Sequence, residues 1–317
     1  MAAAFGFFLL GLLLLALGGD SIVKGASGLA QRFGLSPLAA GVLLVAFGTS
    51  LPELAVNARA AWVGSQALAL GNAVGSNVVN FGLTLGAAAI AAPLLVRWRS
   101  LAPLLVCFMV ASVLVIGLGL DGALGRLDGL LLLALFVAVF AWMLARSRSE
   151  SDEVRDGVAA FGATRTGLGL NLLRFVLSAV LLYFGARLVV QHAPVLGAAL
   201  GLAPLLSGLI VVAIGTALPE VFAAVAAARR GQGDMVAGHV IGSSVFNLLV
   251  VVGGMAAFRD VPLPQSFVRF ELPAALAFAL VLYPMLRGDL RVSRTEGGVL
   301  LVAFVAWLAF ELLLIQH

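Results

Sequence analysis

Two glutamates, Glu53 and Glu220, each end a run of small and hydroxyl-bearing residues inside an otherwise apolar stretch, GVLLVAFGTSLPE and GLIVVAIGTALPE. An ionised carboxylate in hydrocarbon is disfavoured by about 3 kcal/mol even on insertion scales, so an acid in such a place points to a role with a partner. Each glutamate follows a proline, Pro52 or Pro219, and a glycine, Gly48 or Gly215. Proline removes a backbone donor and glycine weakens a helix, so a helix is expected to break there. The carbonyls of Ala46 and Ala213 would then lose their helical partners and aim negative dipole ends into the gap. Thr49 and Ser50 in one copy and Thr216 in the other add hydroxyl oxygens.

A second pair of segments supplies more oxygen. Gly71–Asn80 reads GNAVGSNVVN and Gly238–Asn247 reads GHVIGSSVFN. Ser76 and Asn80 are four apart, as are Ser243 and Asn247, so in a helix each pair shares one face. The predicted ligand set is therefore Ala46, Thr49, Ser50, Glu53, Ser76 and Asn80 from the first copy. The second copy contributes Ala213, Thr216, Glu220, Ser243 and Asn247. Such hard oxygen donors suit Ca2+, Na+ or Mg2+ rather than Zn2+ or Cu2+. Two adjacent buried carboxylates must be neutralised, and their charge matches one Ca2+. Mg2+ prefers to keep several waters, which favours Ca2+ in a cage of protein oxygens. Na+ or H+ neutralising the same carboxylates would compete with Ca2+, and competition with alternating access amounts to antiport.

The elements that must carry these residues are membrane helices. The chain has 317 residues, 62% hydrophobic and 11% charged, with a mean hydropathy of +1.14, far from soluble domains. Apolar runs of about 20 residues recur, each long enough to cross a hydrocarbon core of about 30 Å. Ten spans are predicted, over 5–30, 37–60, 67–91, 100–120, 127–146, 167–192, 204–228, 235–257, 267–286 and 296–315. Segments such as Leu130–Phe140 are apolar on every side, which argues against the alternating polarity of a membrane β-barrel. The first run lacks a basic segment before Lys24 and is read as a helix rather than a cleaved signal. Cys107 is alone, so no disulfide forms within the chain. With the N-terminus outside, twelve loop arginines, among them Arg97, Arg99, Arg229 and Arg230, fall inside, against Arg59, Arg126 and Arg259 outside. The positive-inside bias thus places both termini outside the cytoplasm, and the basic excess calls for no nucleic acid.

Glu53 and Glu220 stand 167 positions apart, and the Gly71 and Gly238 segments keep that spacing without a gap. Five spans per half is an odd number, so the second copy enters the bilayer from the opposite side, an architecture common among secondary transporters. The expectation is an all-α integral membrane protein of two inverted five-helix repeats with broken helices at mid-membrane. Residues 1–146 form the first repeat, with its motif at 41–80, and 167–317 the second, with its motif at 208–247. The polar segment 147–166 between them reads as a flexible cytoplasmic linker. One chain holds both halves of the site, so a monomer suffices and no protein partner is required.

Together, Gly48–Glu53 with Gly71–Asn80, and Gly215–Glu220 with Gly238–Asn247, resemble the two α-repeats of the cation/Ca2+ exchanger superfamily, specifically its prokaryotic sodium/calcium exchanger branch. The resemblance covers essentially the whole chain. It implies exchange of Ca2+ for Na+ across a prokaryotic inner membrane without a cofactor, and the same eleven ligand positions. It also implies that the first and sixth helices, around Gly11–Arg32 and Leu177–Ala199, slide across the bundle. The chain departs from the pattern at Ala217, where a serine is usual, at His239 and Ser244 in place of asparagines, and at Asn247, which is acidic in some relatives. H+-coupled or K+-assisted exchange is the alternative, because the same carboxylates serve those ions. A passive channel fits inverted repeats with broken helices poorly. An enzyme is disfavoured because no nucleophile is paired with a base. Asp20 and Arg187 occupy one repeat position in apolar helices, and contact between them is an expectation.

Overall fold

Apolar spans in lipid must satisfy every backbone polar group internally, and helices do so. The computed structural model describes residues 1–34, 40–41, 50–147, 149–164, 167–288 and 290–314. Eleven helices run through them: α1 (Ala2–Arg32), α2 (Leu51–Trp62), α3 (Gln66–Ala91), α4 (Leu101–Leu118), α5 (Arg126–Ser147), α6 (Asp152–Gly162), α7 (Leu168–Ala199), α8 (Pro204–Arg229), α9 (Gly233–Phe258), α10 (Phe267–Arg287) and α11 (Arg294–Leu314). Among the described residues, nine are long and apolar enough to cross a membrane. The remaining predicted span, 37–60, is represented by Ala40, Gly41 and the 12-residue α2, and the rest of it lies outside the described residues.

The repeat is visible in the coordinates. Moving α3 by 167 positions lands on α9, and each contains a widened turn that starts at the motif asparagine, Asn80–Thr84 and Asn247–Val252. Such turns are rare and frequent at functional sites. Two short antiparallel ladders tie the copies together. Strand β1 (Leu94–Leu95) of the first repeat pairs with β4 (Arg291–Val292) of the second, and β2 (Ala123–Leu124) of the first pairs with β3 (Val261–Pro262) of the second. Helices α3 and α9 form the centre, with 83% of their apolar windows buried, against 33% for α1 and α7, which leave much surface to lipid.

Helices α1 and α7 pack antiparallel through small residues. A Cβ on Gly11 would lie 3.0 Å from the Gly185 carbonyl, and one on Gly18 would lie 3.0 Å from Leu182. The two helices therefore cross around Leu15 and Leu182, themselves related by the repeat. This overturns the expected contact between Asp20 and Arg187. Positions related by an inverted repeat meet only at the crossing point. Asp20 lies five residues beyond it on one helix and Arg187 five beyond it, in the opposite direction, on the other. At 1.5 Å per residue the two levels differ by roughly 15 Å. Asp20 pairs instead with Lys24, one turn away, at 2.7 Å.

Two further expectations change. The segment between the repeats is not a bare flexible tether: it contains α6, whose Val154 and Val158, four apart, are buried. Glu153 forms an ion pair with Arg97, and Glu150 accepts hydrogen bonds from the Ser100 backbone N–H and hydroxyl. A one-turn apolar stripe in an otherwise polar segment is a weak sequence signal, which is why the helix was not anticipated. The helix also does not break at Gly215–Pro219. Helix α8 runs through Pro219, and its irregular turn comes earlier, at Ser207–Val212. In the first copy Ser50 occupies the N-cap of α2, with Pro52 in the opening turn, where its missing N–H has no cost.

Helices α3 and α8 approach backbone to backbone. A Cβ on Gly71 would sit 2.0 Å from the Leu205 carbonyl oxygen, one on Gly75 2.3 Å from that of Leu209, and one on Gly208 2.1 Å from that of Leu68. Backbone cannot yield as a flexible side chain can. Gly75→Ala is therefore expected to lower thermal stability in detergent by about 1–3 kcal/mol through overpacking. Gly254→Ala, in the same kind of helix but with open space at its Cβ, should leave the unfolding temperature unchanged or raise it, and parallel melting curves check the contrast.

Candidate functional site

Four helices from both repeats converge on the glutamates. Glu53 projects from the first turn of α2 and is 4% exposed. It faces Glu220 of α8 and the hydroxyl of Thr216, one turn earlier on that helix. The Glu220 Oε2 contacts His239 Nε2 of α9 at 3.3 Å, and His239 Nδ1 contacts Ser243 Oγ at 3.3 Å. Carboxylates from the two repeats thus meet near the pseudo-twofold axis, where repeat-related positions can touch, unlike Asp20 and Arg187.

Around this pair lies a set of polar atoms with nothing to bond. Among the described residues, Ser50 Oγ, Glu53 Oε2, Ser76 Oγ, Glu220 Oε1 and both amide atoms of Asn247 are buried without a hydrogen-bond partner. Natural proteins leave few such atoms, and each calls for an explanation. Oxygens from α2, α3, α8 and α9, together with two carboxylates whose one basic neighbour among the described residues is the imidazole, have the chemistry that hard cations prefer. Asn80, at the head of its widened turn, is buried on α3.

The predicted ligands separate into groups. Glu53, Thr216 and Glu220 meet, and His239 and Ser243 continue the chain. Ser50, Ser76, Asn80 and Asn247 are buried on the helices packed around them. Ala46 and Thr49 lie outside the described residues. The Ala213 carbonyl, expected to be free, accepts a hydrogen bond from Thr216 Oγ1 at 3.3 Å, which Thr216 also shares with the Val212 carbonyl at 3.0 Å. Such back-bonding lets a helix bend without breaking. Asn57 was missed. It stands one turn after Glu53, is 1% exposed, and its Oδ1 accepts from Asn72 Nδ2 at 3.1 Å. A second intramembrane polar residue four positions from Glu53 was the available signal, but Ala224 at the matching repeat position hid it from a search for duplicated residues.

The repeats are not equally open. A cavity of about 400 Å3 reaches the site between α1, α8 and α9, lined by Asp20, Pro52, Thr216, Glu220, Ala227 and His239 among others. At the positions the repeat relates to its wall, Val56, Ala60, Leu68 and Ala69 are 0% exposed. The starts of the motif helices differ in the same sense: Gly208 lies against Leu68 of α3, whereas Gly41 lies against Val158 of α6. The site is reached from one end of the bundle and sealed by α3 and α8 at the other.

Comparison with known proteins agrees with this architecture. The family described as sodium/calcium exchanger protein matches residues 3–145 and 170–313, one block per repeat. The putative antiporter CaxA of Alkalimonas amylolytica is 34% identical, covering 97% of this chain and 98% of its own. The sodium/calcium exchanger MaX1 of Methanosarcina acetivorans is 29% identical over 96% of this chain and 97% of its own. A solved structure of the sodium-calcium exchanger NCX_Mj superposes with a TM-score of 0.68 at 29% identity, covering 97% of this chain and 98% of that one.

One-sided access has a direct consequence. In a Cys107→Ser background, a cysteine at Ala227, on the cavity wall, should react with a small hydrophilic thiol reagent in detergent. One at Ala60, its repeat counterpart, should react at least about tenfold more slowly, since exchange there waits on local opening. Mass spectrometry of the labelled protein checks the difference.

Proposed function

Because the chain belongs to the sodium/calcium exchanger family, we propose that it is a secondary antiporter that exchanges Ca2+ for Na+ at the Glu53–Glu220 site. The observation that carries this reading is the pair of facing carboxylates amid unpartnered buried oxygens. Two negative charges side by side at mid-membrane repel strongly, and the pair is stable only when protons or cations neutralise it. One Ca2+ does so with a single ion, and Na+ does so with more than one. Because both draw on Glu53 and Glu220, occupancy by one excludes the other. Ser50, Ser76, Asn80, Thr216, Ser243 and Asn247 replace parts of the hydration shell, and Ala46 and Thr49 complete the set.

Exchange also requires that the site face each side in turn. With the positive-inside orientation, the open end of the bundle, toward Ala227 and Met235, is cytoplasmic, and both termini lie outside in the inner membrane of a prokaryote. The second state would exchange the roles of the repeats: α1 and α7 slide on their small-residue seam, closing the cavity beside Glu220 and opening its counterpart beside Glu53. Glycines at 11, 18, 25 and 185 let the two helices lie close along that seam. Docking of α6 against Gly41 would hold the open state and must yield when the inner end closes. One chain suffices for the cycle, and no cofactor or catalytic step is needed.

The alternative, H+-coupled or K+-assisted exchange, uses the same carboxylates. The experiment is Na+-gradient-driven 45Ca2+ uptake into proteoliposomes, with a parallel arm under a pH gradient. Uptake should follow the Na+ gradient, and Glu53→Gln or Glu220→Gln should each reduce it to background, because a neutral amide leaves the divalent ion half compensated. Uptake driven by the pH gradient alone would assign the proton as co-ion, and unchanged uptake in both variants would remove the glutamates from the site.

A further inference from the structure

A second cavity, of about 640 Å3, lies far from the glutamates, between the start of α4 and the end of α10. Among the described residues, its polar wall carries Trp98, Arg99, Tyr283 and Arg287. Arg99 and Arg287 line it, Arg287 Nη1 donates to the Tyr283 hydroxyl at 2.7 Å, and Trp98 borders the same space. Trp98 is 1% exposed, yet its indole Nε1–H has no hydrogen-bond partner among the described residues. No carboxylate is among the described lining residues. The remainder of the wall is apolar and runs inward along the helices. Val106 lies five residues into α4, about 8 Å along its axis, and Leu286 faces it from α10.

The polar end is held in place. Backbone N–H groups of Arg97 and Trp98 donate to Asp234 Oδ1 at 2.6 and 2.8 Å, and those of Arg99 and Ser100 donate to Glu150 at 3.2 and 3.1 Å. Two carboxylates thus fix the turn that presents Trp98 and Arg99, and they do so through backbone groups. The duplicated scaffold alone does not produce this arrangement. At the other end of the bundle Gln265 and Ser266 stand in the repeat positions of Trp98 and Arg99, and Leu263 fills the space so closely that a Cβ on Gly119 would lie 2.1 Å from its Cδ2.

We propose that this groove binds the headgroup of an anionic membrane phospholipid, its phosphate between Arg99 and Arg287 and the Trp98 N–H, with an acyl chain against Val106 and Leu286. Two guanidiniums and an orphaned N–H at the end of membrane helices recognise a phosphodiester, and basic pockets between helices at that level suit such lipids. The apolar wall selects a lipid over free phosphate.

Native mass spectrometry of the purified full chain, titrated with dioleoyl phosphatidylglycerol, dioleoyl phosphatidylcholine or inorganic phosphate, tests this. One phosphatidylglycerol per chain should be retained, and the Arg99→Gln/Arg287→Gln variant should weaken its Kd by roughly 30-fold, two surface basic contributions together. An Arg126→Gln/Arg259→Gln variant, at the other end, should leave it unchanged. Trp98→Phe keeps an aromatic side chain and both arginines while removing the donor, so it decides the matter where the double variant does not fold: weakened retention supports the site. Equal retention of phosphatidylcholine, equal loss in the distal variant, unaltered binding in Trp98→Phe, or inorganic phosphate binding as well as the lipid would each overturn the proposal.

Discussion

Two carboxylates facing one another inside a bundle of apolar helices set the terms for the rest of the molecule. Among the described residues, neither Glu53 nor Glu220 has an arginine or lysine paired with it; Glu53 is buried, and Glu220 borders the cavity. Their repulsion calls for protons or cations to neutralise it. Inverted duplication brings this about economically: one segment, copied and turned over, delivers the same acid from opposite sides to a single point near the axis. The same symmetry separates Asp20 from Arg187, because only positions close to the crossing of the related helices can touch.

Symmetry is broken at the two ends of the bundle. Glycines at 71, 75 and 208 let α3 and α8 seal one end of the bundle backbone to backbone, while the matching end opens beside Glu220 and carries α6 against Gly41. Helix α1, which lines the opening, packs on α7, and both leave much of their surface to lipid.

Much of this was legible in the sequence. Spans were set by hydropathy, and the repeat by the 167-residue spacing of two motifs that each hold an acid, so the glutamates and most of the oxygens around them could be named beforehand. What escaped depended on local competition between backbone and side chain. Pro219 and Gly215 argued for a break, but Thr216 supplies hydrogen bonds to the preceding turn and the helix continues. Helix α6 escaped because Val154 and Val158 are its only buried apolar residues among those described, too few to stand out. Asn57 escaped because its repeat counterpart is an alanine. His239 was noticed as a departure from its asparagine counterpart, but its contact with Glu220 became evident only in three dimensions: Asn72 turns to Asn57, whereas the longer imidazole reaches the acid.

The account rests on one claim, that the two glutamates act on a single shared ion. Equilibrium 45Ca2+ binding to the purified protein over a series of Na+ concentrations tests it most directly. One Ca2+ should bind per chain, be displaced competitively by Na+, and be lost when either glutamate alone is replaced by glutamine. Two Ca2+ per chain, with one surviving each single replacement, would mean that the carboxylates serve separate ions and would contradict it.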